Sequence, residues 1–270
     1  MTEQRPDWAP QDVNTDVPSA ARVYDYFLGG AHNFAVDRAL ADEIARMTPN
    51  VGDTMRANRE FLRRAVRYLI GAGIRQFLDI GSGIPTVGNV HQIAQGIAPE
   101  ARIVYVDIDP VAVAHSQAIL AGNDRATALE GDVRQVDGIL AEPKLRELLD
   151  LTQPVAVLLA GILHFVPDSD DPPGIVGRLA DAVRAGSYVV LSNATYEDQP
   201  PEVIEAQKLS GRTATEIVLR SRAQLLDQFR GFTLIEPGLV HLPLWRPDSP
   251  ADVGEHPERY GAFGGVGRKD

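Results

Sequence analysis

Phe77-Leu78-Asp79-Ile80-Gly81-Ser82-Gly83-Ile84-Pro85-Thr86 decides the fold of this 270-residue chain. A short apolar run ends in a glycine turn, the arrangement that lets a ligand approach backbone amides where a helix begins. The dinucleotide fingerprint needs a third glycine where Thr86 stands, so that a pyrophosphate can settle on the helix N-terminus. Asp79 argues further against a pyrophosphate. A carboxylate two residues before Gly81 repels a diphosphate at close range and attracts a cation. The plainer role for Asp79 is to cap the turn.

Two more acids stand at the ends of the next apolar runs. Asp107, with Ile108 beside it, lies 24 residues beyond Gly83, near the spacing of about 20 at which an acid accepts both ribose hydroxyls. Gly131-Asp132-Val133 closes the third run. A carboxylate there can accept the exocyclic amine of adenine, with Val133 packing on the ring; a surface turn acid is the alternative. Three acids at the C-terminal ends of successive strands mark the ligand crevice of an open parallel sheet. A ligand with a ribose, an adenine and a positive charge fits all three, and S-adenosylmethionine has an ammonium and a sulfonium against one carboxylate. Asp109, followed by Pro110, reads as a helix cap.

Outward from this centre, β-branched runs alternate with helical segments, the signature of crossover units building a parallel sheet. The spacing predicts strands at Gln76 to Ile80, Ile103 to Asp107, Ala126 to Glu130, Val155 to Ala160 and Tyr188 to Ser192, with another over Phe232 to Leu242. Ser221 and Gln224 predict a capping box for a helix ending before Gly231. The glycine-rich tail, Tyr260 to Lys269, reads as an edge strand or as disordered. Upstream, helices are expected over Pro18 to Leu28, Asn33 to Met47 and Asp53 to Ile70. In the last, Phe61, Leu62, Ala65, Val66 and Leu69 recur at helical spacing while Arg56, Arg59, Arg63, Arg64 and Arg67 read as a solvated face, with recognition of a phosphate or carboxylate on a substrate as the alternative. The organisation is thus a flexible arm over 1–17, a helical extension or lid over 18–72 and a ligand-binding domain over 73–270.

Composition is that of an ordinary globular protein able to bury a sizeable core: 44% of residues are hydrophobic and 23% charged. The net charge of −11 disfavours attraction to a nucleic-acid backbone, so the expected partner is a small-molecule substrate. Without cysteine there are no disulfides or thiolate sites, and the histidines show no metal-ligand spacing. The longest apolar run, Val155 to Leu163, is far short of the roughly 20 residues a membrane span needs, and no secretory segment opens the chain. A cytoplasmic protein is expected; the oligomeric state is left open.

These residues resemble the class I S-adenosylmethionine-dependent methyltransferases over about residues 75 to 242. With Ala21-Arg22-Val23-Tyr24-Asp25-Tyr26-Phe27-Leu28-Gly29-Gly30, Asn33-Phe34-Ala35-Val36-Asp37-Arg38, Pro237-Gly238-Leu239-Val240 and Trp245-Arg246-Pro247 included, nearly the whole chain is similar to a bacterial S-adenosyl methyltransferase family first catalogued as a domain of unknown function. The resemblance implies a Rossmann-like, mostly parallel seven-stranded sheet with helices on both faces. It puts Asp79, Gly81, Ser82, Gly83 and Thr86 beside the methionine portion, Asp107 and Ile108 at the ribose, and Asp132 and Val133 at adenine. Ala160 and Gly161 open the segment Ala160-Gly161-Ile162-Leu163-His164-Phe165-Val166-Pro167-Asp168, which matches the motif passing under the transferable methyl. That segment lacks an acid or amide at its start, so oxygen or carbon acceptors are favoured over amines.

Methyl transfer from a sulfonium depends mainly on positioning and desolvation, so a base is optional. His164 is the nearest candidate, because an ordinary histidine titrates near neutrality; a structural histidine is the alternative. Tyr196 and Asn193 are candidates for orienting substrate, and Tyr24, Tyr26, Asn33, Phe34 and Arg38 for a lid. Two other functions compete: a non-catalytic S-adenosylmethionine-binding protein, supported by the absent polar group at Ala160 and Gly161, and a nicotinamide-dependent oxidoreductase.

Overall fold

β1 (Gln76–Ile80), β2 (Arg102–Asp107), β3 (Ala126–Glu130), β4 (Ala156–Ala160) and β5 (Tyr188–Ala194) are parallel neighbours in the computed structural model, with β1 between β2 and β4. The structure describes residues 13–48, 50–85, 88–201, 204 and 217–270. The central strands are apolar on both faces because helices cover both. Along each strand the side chains alternate between two cores. Phe77, Ile103, Leu158 and Val190 meet Phe61, Leu69 and Trp245 on one side. Leu78, Val104, Val157 and Val189 meet Ile139, Leu145, Ile175 and Leu225 on the other.

The first face is covered by α3 (Val51–Gly71) and α4 (Val90–Ile97), and the second by α6 (Val136–Ala141), α7 (Pro143–Leu148), α8 (Pro172–Ala182) and α9 (Arg222–Asp227). α5 (Pro110–Ile119) follows β2 and packs beside β2 and β3. Its cap is Asp109, whose Oδ1 accepts the Val111 N–H at 2.8 Å. The expected capping box of α9 is present, with Ser221 and Gln224 each accepting the other's backbone N–H.

Three strand expectations need correction. The tail forms β8 (Ala262–Arg268), which is interior and antiparallel, between β5 and the two-residue β6 (Thr233–Leu234). Its glycines leave room for rings rather than signalling an edge: a Cβ at Gly264 would lie 2.9 Å from Phe61, and one at Gly267 2.8 Å from Phe232. The run Phe232 to Leu242 is divided between β6 and β7 (Val240–His241), because Pro237 has no N–H to donate and Gly238, at φ +85°, turns the chain. The sheet therefore has eight strands among the described residues rather than seven, in the order β3-β2-β1-β4-β5-β8-β6 with β7 also on β8.

The N-terminal segment is bolted to the sheet domain. α1 (Ala20–Phe27) presents a buried Arg22 that reaches Asp109 at 3.2 Å and Asp37 at 3.6 Å. Asp37 belongs to α2 (Ala35–Met47). Of the expected loose arm, the described part is tied down: Arg22 holds the carbonyls of Asn14 and Val17, and Val13 is buried with Phe34, Ile84 and Val111. Residues 1–12 lie outside the description. The arginines of α3 are not one solvated face either. Arg64 is buried and donates to the carbonyls of Trp245 and Leu242 at 2.9 and 2.8 Å, because the chain after β7 folds across that turn of helix.

Candidate cofactor and active site

The sheet order reverses at β1, between β2 and β4, which opens a crevice at the C-terminal ends of these strands. Gly81 and Gly83 make the turn there with φ of +73° and +67°, a region where a Cβ brings strain. The Gly81 N–H donates to the Val106 carbonyl at 2.8 Å, and a Cβ on Gly81 would strike Ile162. A Cβ on Gly83, by contrast, would meet nothing within 4 Å, so this side of the turn borders open space. Ser82 follows the same turn, its N–H reaching the Val106 carbonyl.

Asp107 joins this turn to the next helix. Its Oδ2 accepts the Gly83 N–H at 2.7 Å and its Oδ1 the Asp109 N–H at 2.9 Å. Each oxygen retains a lone pair for a further donor. Burial pushes its pKa up to about 6, against the backbone bonds that favour the charged form. Ile108, next in the chain, is exposed.

Asp79 is buried and its pKa is pushed up to about 7 by burial, with Asp107 adding to the rise and the Arg59 guanidinium opposing it. In register with Tyr105 of β2, it lies on the sheet face covered by α3. The expected attraction for positive charge is therefore shared with a resident cation. Arg59 of α3 lies with its guanidinium 5.4 Å from the centre of the Tyr24 ring, and it forms no ion pair with Asp79. Its Nε is buried without a hydrogen-bond partner.

Asp132 is engaged by its neighbour: Arg134 Nε donates to both carboxylate oxygens at 2.9 Å, and the Arg134 N–H to Oδ1 at 2.9 Å. Those bonds hold its pKa below the usual carboxylate range. Val133 is packed into the core of the second face.

At the end of β4 the Gly161 N–H donates to the Ser192 carbonyl at 3.1 Å, and Gly161 has φ +80°. The space its missing side chain leaves is bordered by the Asn58 amide of α3, whose Nδ2 lies 3.1 Å from where a Cβ would stand. Asn58 is fixed there: Ser192 Oγ donates to its Oδ1 at 2.6 Å, and its Nδ2 donates to the Tyr24 hydroxyl at 3.3 Å. Tyr24 in turn donates to the Met55 carbonyl at 3.0 Å. The strand end that carries no polar side chain, Ala160-Gly161, thus acquires an amide from a helix a hundred residues earlier in the chain.

His164 lies in the short 3-10 turn that follows. Burial and the nearby Arg220 charge lower its pKa to about 4, with Asn193 working slightly the other way. The sequence argument from an ordinary titration near neutrality is thereby amended, since the imidazole is neutral across that range. Its Nδ1 and the Asn193 Oδ1 make no well-formed hydrogen bond, while Asn193 Nδ2 donates to the buried Gln228 at 3.0 Å. Arg220 clamps the loop by donating to the carbonyls of Leu163 and Val166 and to Asp168. Tyr196 is partly exposed beyond β5.

Among the expected lid residues only Tyr24 joins this cluster. Tyr26 donates to Asp42 at the surface. Asn33, Phe34 and Arg38 brace the connection of α1 to α2: Asn33 donates to Asp25, and Arg38 to Asn33, while Phe34 caps α2 and packs below Arg22. Thr86 lies outside the described residues. Sequence reading missed Asn58 and Arg220 as site residues and gave Arg59 only as one of the five α3 arginines. The arginine repeat was visible, but which arginine turns toward β1 is set by the packing of α3.

The residues present fit S-adenosylmethionine. A glycine turn with open space beside it, a buried carboxyl with free lone pairs and an acid at the end of β1 suit a ligand bearing hydroxyls and positive charge.

Strand order, parallel centre and antiparallel β8 define a class I methyltransferase fold. The family model described as S-adenosyl methyltransferase matches residues 6–270, and the chain belongs to that family. It is similar to a provisionally assigned methyltransferase from Thermobifida fusca YX (38% identity, TM-score 0.92, covering 98% of this chain and 100% of that one). It is also similar to a DUF574 family protein from Streptomyces avermitilis MA-4680 (42% identity, TM-score 0.90, covering 95% and 99%). An O-methyltransferase family protein from Burkholderia thailandensis shares the fold alone, at 13% identity and TM-score 0.54 over 95% of this chain and 65% of that one. No curated protein matches. The protein is an S-adenosylmethionine-dependent methyltransferase, and S-adenosylmethionine is its cofactor. Among the described residues no helix is long and apolar enough to cross a membrane.

Proposed function

We propose that the enzyme methylates an oxygen or carbon atom of a small-molecule acceptor in the cytoplasm. The observation that carries this reading is the end of β4. Ala160 and Gly161 supply no acid or amide of their own, and the amide that Asn58 brings there already accepts from Ser192 through its oxygen, so it is poorly placed to hold a reacting amine; the buried, neutral His164 lies a few residues further on. The net charge of −11 disfavours a nucleic-acid substrate.

Bound S-adenosylmethionine supplies a methyl group on a sulfonium, an electrophile with a good leaving group. Asp79 is proposed to hold the ammonium of its amino-acid end, beside the turn of Gly81, Ser82 and Gly83; Thr86, expected at this end from the sequence, lies outside the described residues. Asp107 would accept the ribose hydroxyls through the lone pairs its backbone bonds leave over, with Ile108 alongside. Asp132 and Val133 are proposed at the adenine; because Arg134 already occupies the Asp132 carboxylate, the exocyclic amine would share that acceptor. Ala160 and Gly161 line the floor. Asn58 would orient the acceptor from the α3 side, and His164, Asn193 and Tyr196 from the β4 and β5 side. His164 is a weak base, so its part is to accept a hydrogen bond, and a proton where the acceptor is itself acidic. Residues 18–72 would form the lid, with Tyr24 as its inner face and Tyr26, Asn33, Phe34 and Arg38 maintaining its shape.

Non-catalytic binding drew its sequence support from the missing polar group at Ala160 and Gly161, and the Asn58 amide removes that support. Incubation with S-adenosylmethionine carrying a 13C-labelled methyl and a metabolite extract tests the proposal. A labelled methyl with the carbon shift of an O- or C-methyl group is expected; an N-methyl product, or no product despite cofactor binding, overturns it.

A further inference from the structure

We infer that Arg59 receives the carboxylate at the amino-acid end of the cofactor, so that α3 and β1 recognise the zwitterion from two sides. This rests on the proposed role of Asp79 toward the ammonium. The other arginines of α3 are all engaged. Arg56 pairs with Asp53, Arg63 with Glu60 and Asp248, and Arg67 with Asp248, while Arg64 holds two carbonyls. Among the described residues Arg59 has no ion pair or hydrogen bond, and its buried Nε has left water without gaining an acceptor. An unmade bond to a buried charged group is costly, and such a group persists where a ligand completes it.

Arg59 is also held in place. Its guanidinium lies over the Tyr24 ring, and the Tyr24 hydroxyl is fixed between Met55 and Asn58. The opposite charge it influences is Asp79, yet the two make no ion pair. A guanidinium in direct contact would depress the Asp79 pKa, whereas burial pushes it up to about 7 despite the Arg59 charge. Two unlike charges set near each other and left unpaired match a ligand end bearing both an ammonium and a carboxylate. The planar fork of arginine suits the carboxylate better than the point charge of lysine.

Calorimetry with two ligands tests the inference. S-adenosylhomocysteine carries both charges; its decarboxylated analogue, an S-adenosyl thiopropylamine, keeps only the ammonium. Arg59→Gln should weaken S-adenosylhomocysteine about tenfold or more and leave the analogue within about twofold, with Arg59→Lys between. Equal losses for both ligands, or no loss for S-adenosylhomocysteine, overturn the role of Arg59. If wild-type protein binds neither ligand, the cofactor assignments of Asp79 and its neighbours fall first, a separate result. Thermal melts without ligand should show Arg59→Gln no less stable than wild type; if that variant does not fold, Arg59→Lys carries the same comparison.

Discussion

The Asn58 amide nitrogen of α3 stands 3.1 Å from the point that a Cβ on Gly161, at the end of β4, would occupy. Helix and strand are thereby matched at the floor of the crevice: the strand gives up its side chain and the helix supplies a polar one. Ser192 on β5 fixes the amide by donating to its oxygen.

Asn58→Ala should therefore slow turnover by more than tenfold while changing cofactor affinity little, and should cost about 1–2 kcal/mol of stability through the lost partner of Ser192. Gly161→Ala should also destabilise, by about 1–3 kcal/mol, because alanine must adopt positive φ there. Steady-state kinetics and denaturant melts check both. Unaltered turnover in Asn58→Ala removes it from the active site.

Asp79, with a pKa of about 7, is a source of pH dependence. It is faced by Arg59 from α3 and by Tyr105 and Asp107 from β2. Folded protein retains protons there that the unfolded chain, at an ordinary 3.8, has lost. Stability is thus greatest below the unfolded pKa and falls as pH rises toward 7, by on the order of a few kcal/mol. Asp79→Asn should melt above wild type near pH 8 and lose that advantage near pH 4. Since a cation needs the carboxylate, cofactor affinity of the wild type should climb with pH and level off above about 7, and the variant should be flat and weaker. A variant that keeps the wild-type profile contradicts this assignment.

Asp107 bonds two backbone amides and still has acceptor capacity. Asp107→Ala should weaken S-adenosylhomocysteine by about tenfold or more, in keeping with lost charge-assisted bonds, and Asp107→Asn by less. Unchanged affinity by calorimetry excludes Asp107 from the ribose site.

His164 is lowered to about 4 by burial and Arg220. Because the unfolded chain protonates this residue first, it favours the fold above about pH 6.5 and that contribution is lost as pH falls toward 4. His164→Gln should therefore reduce acid lability over that interval. In the pH profile of turnover, the wild type should show no His164 inflection near 6.5; one that disappears in His164→Gln would show a catalytic histidine titrating normally.

The five parallel strands and the glycine turn were legible because their signal is local. Buried strands need continuous apolar runs, Gly81 and Gly83 need positive φ, and Asp109-Pro110 announces its helix cap within two residues. The tail was misread because glycines in a strand look identical whether they lie at an edge or beneath rings, and Phe61 and Phe232 are far away in sequence. The arginines of α3 were misread for a related reason. Their spacing marks one helix, but the fate of each depends on what packs over it: Trp245 and Leu242 at Arg64, Asp248 at Arg63 and Arg67, and the Tyr24 ring at Arg59.

From sequence alone, then, came the parallel sheet and the acid-and-glycine constellation, both written in short-range spacing, and the resemblance to S-adenosyl methyltransferases that those motifs carry. Tertiary structure alone decided that Asn58 reaches the end of β4 and that the Arg59 charge acts on Asp79 of β1. Packing of Phe61, Leu62, Ala65 and Leu69 against the sheet sets the rotation of α3, and no local pattern records which neighbours that rotation brings within reach.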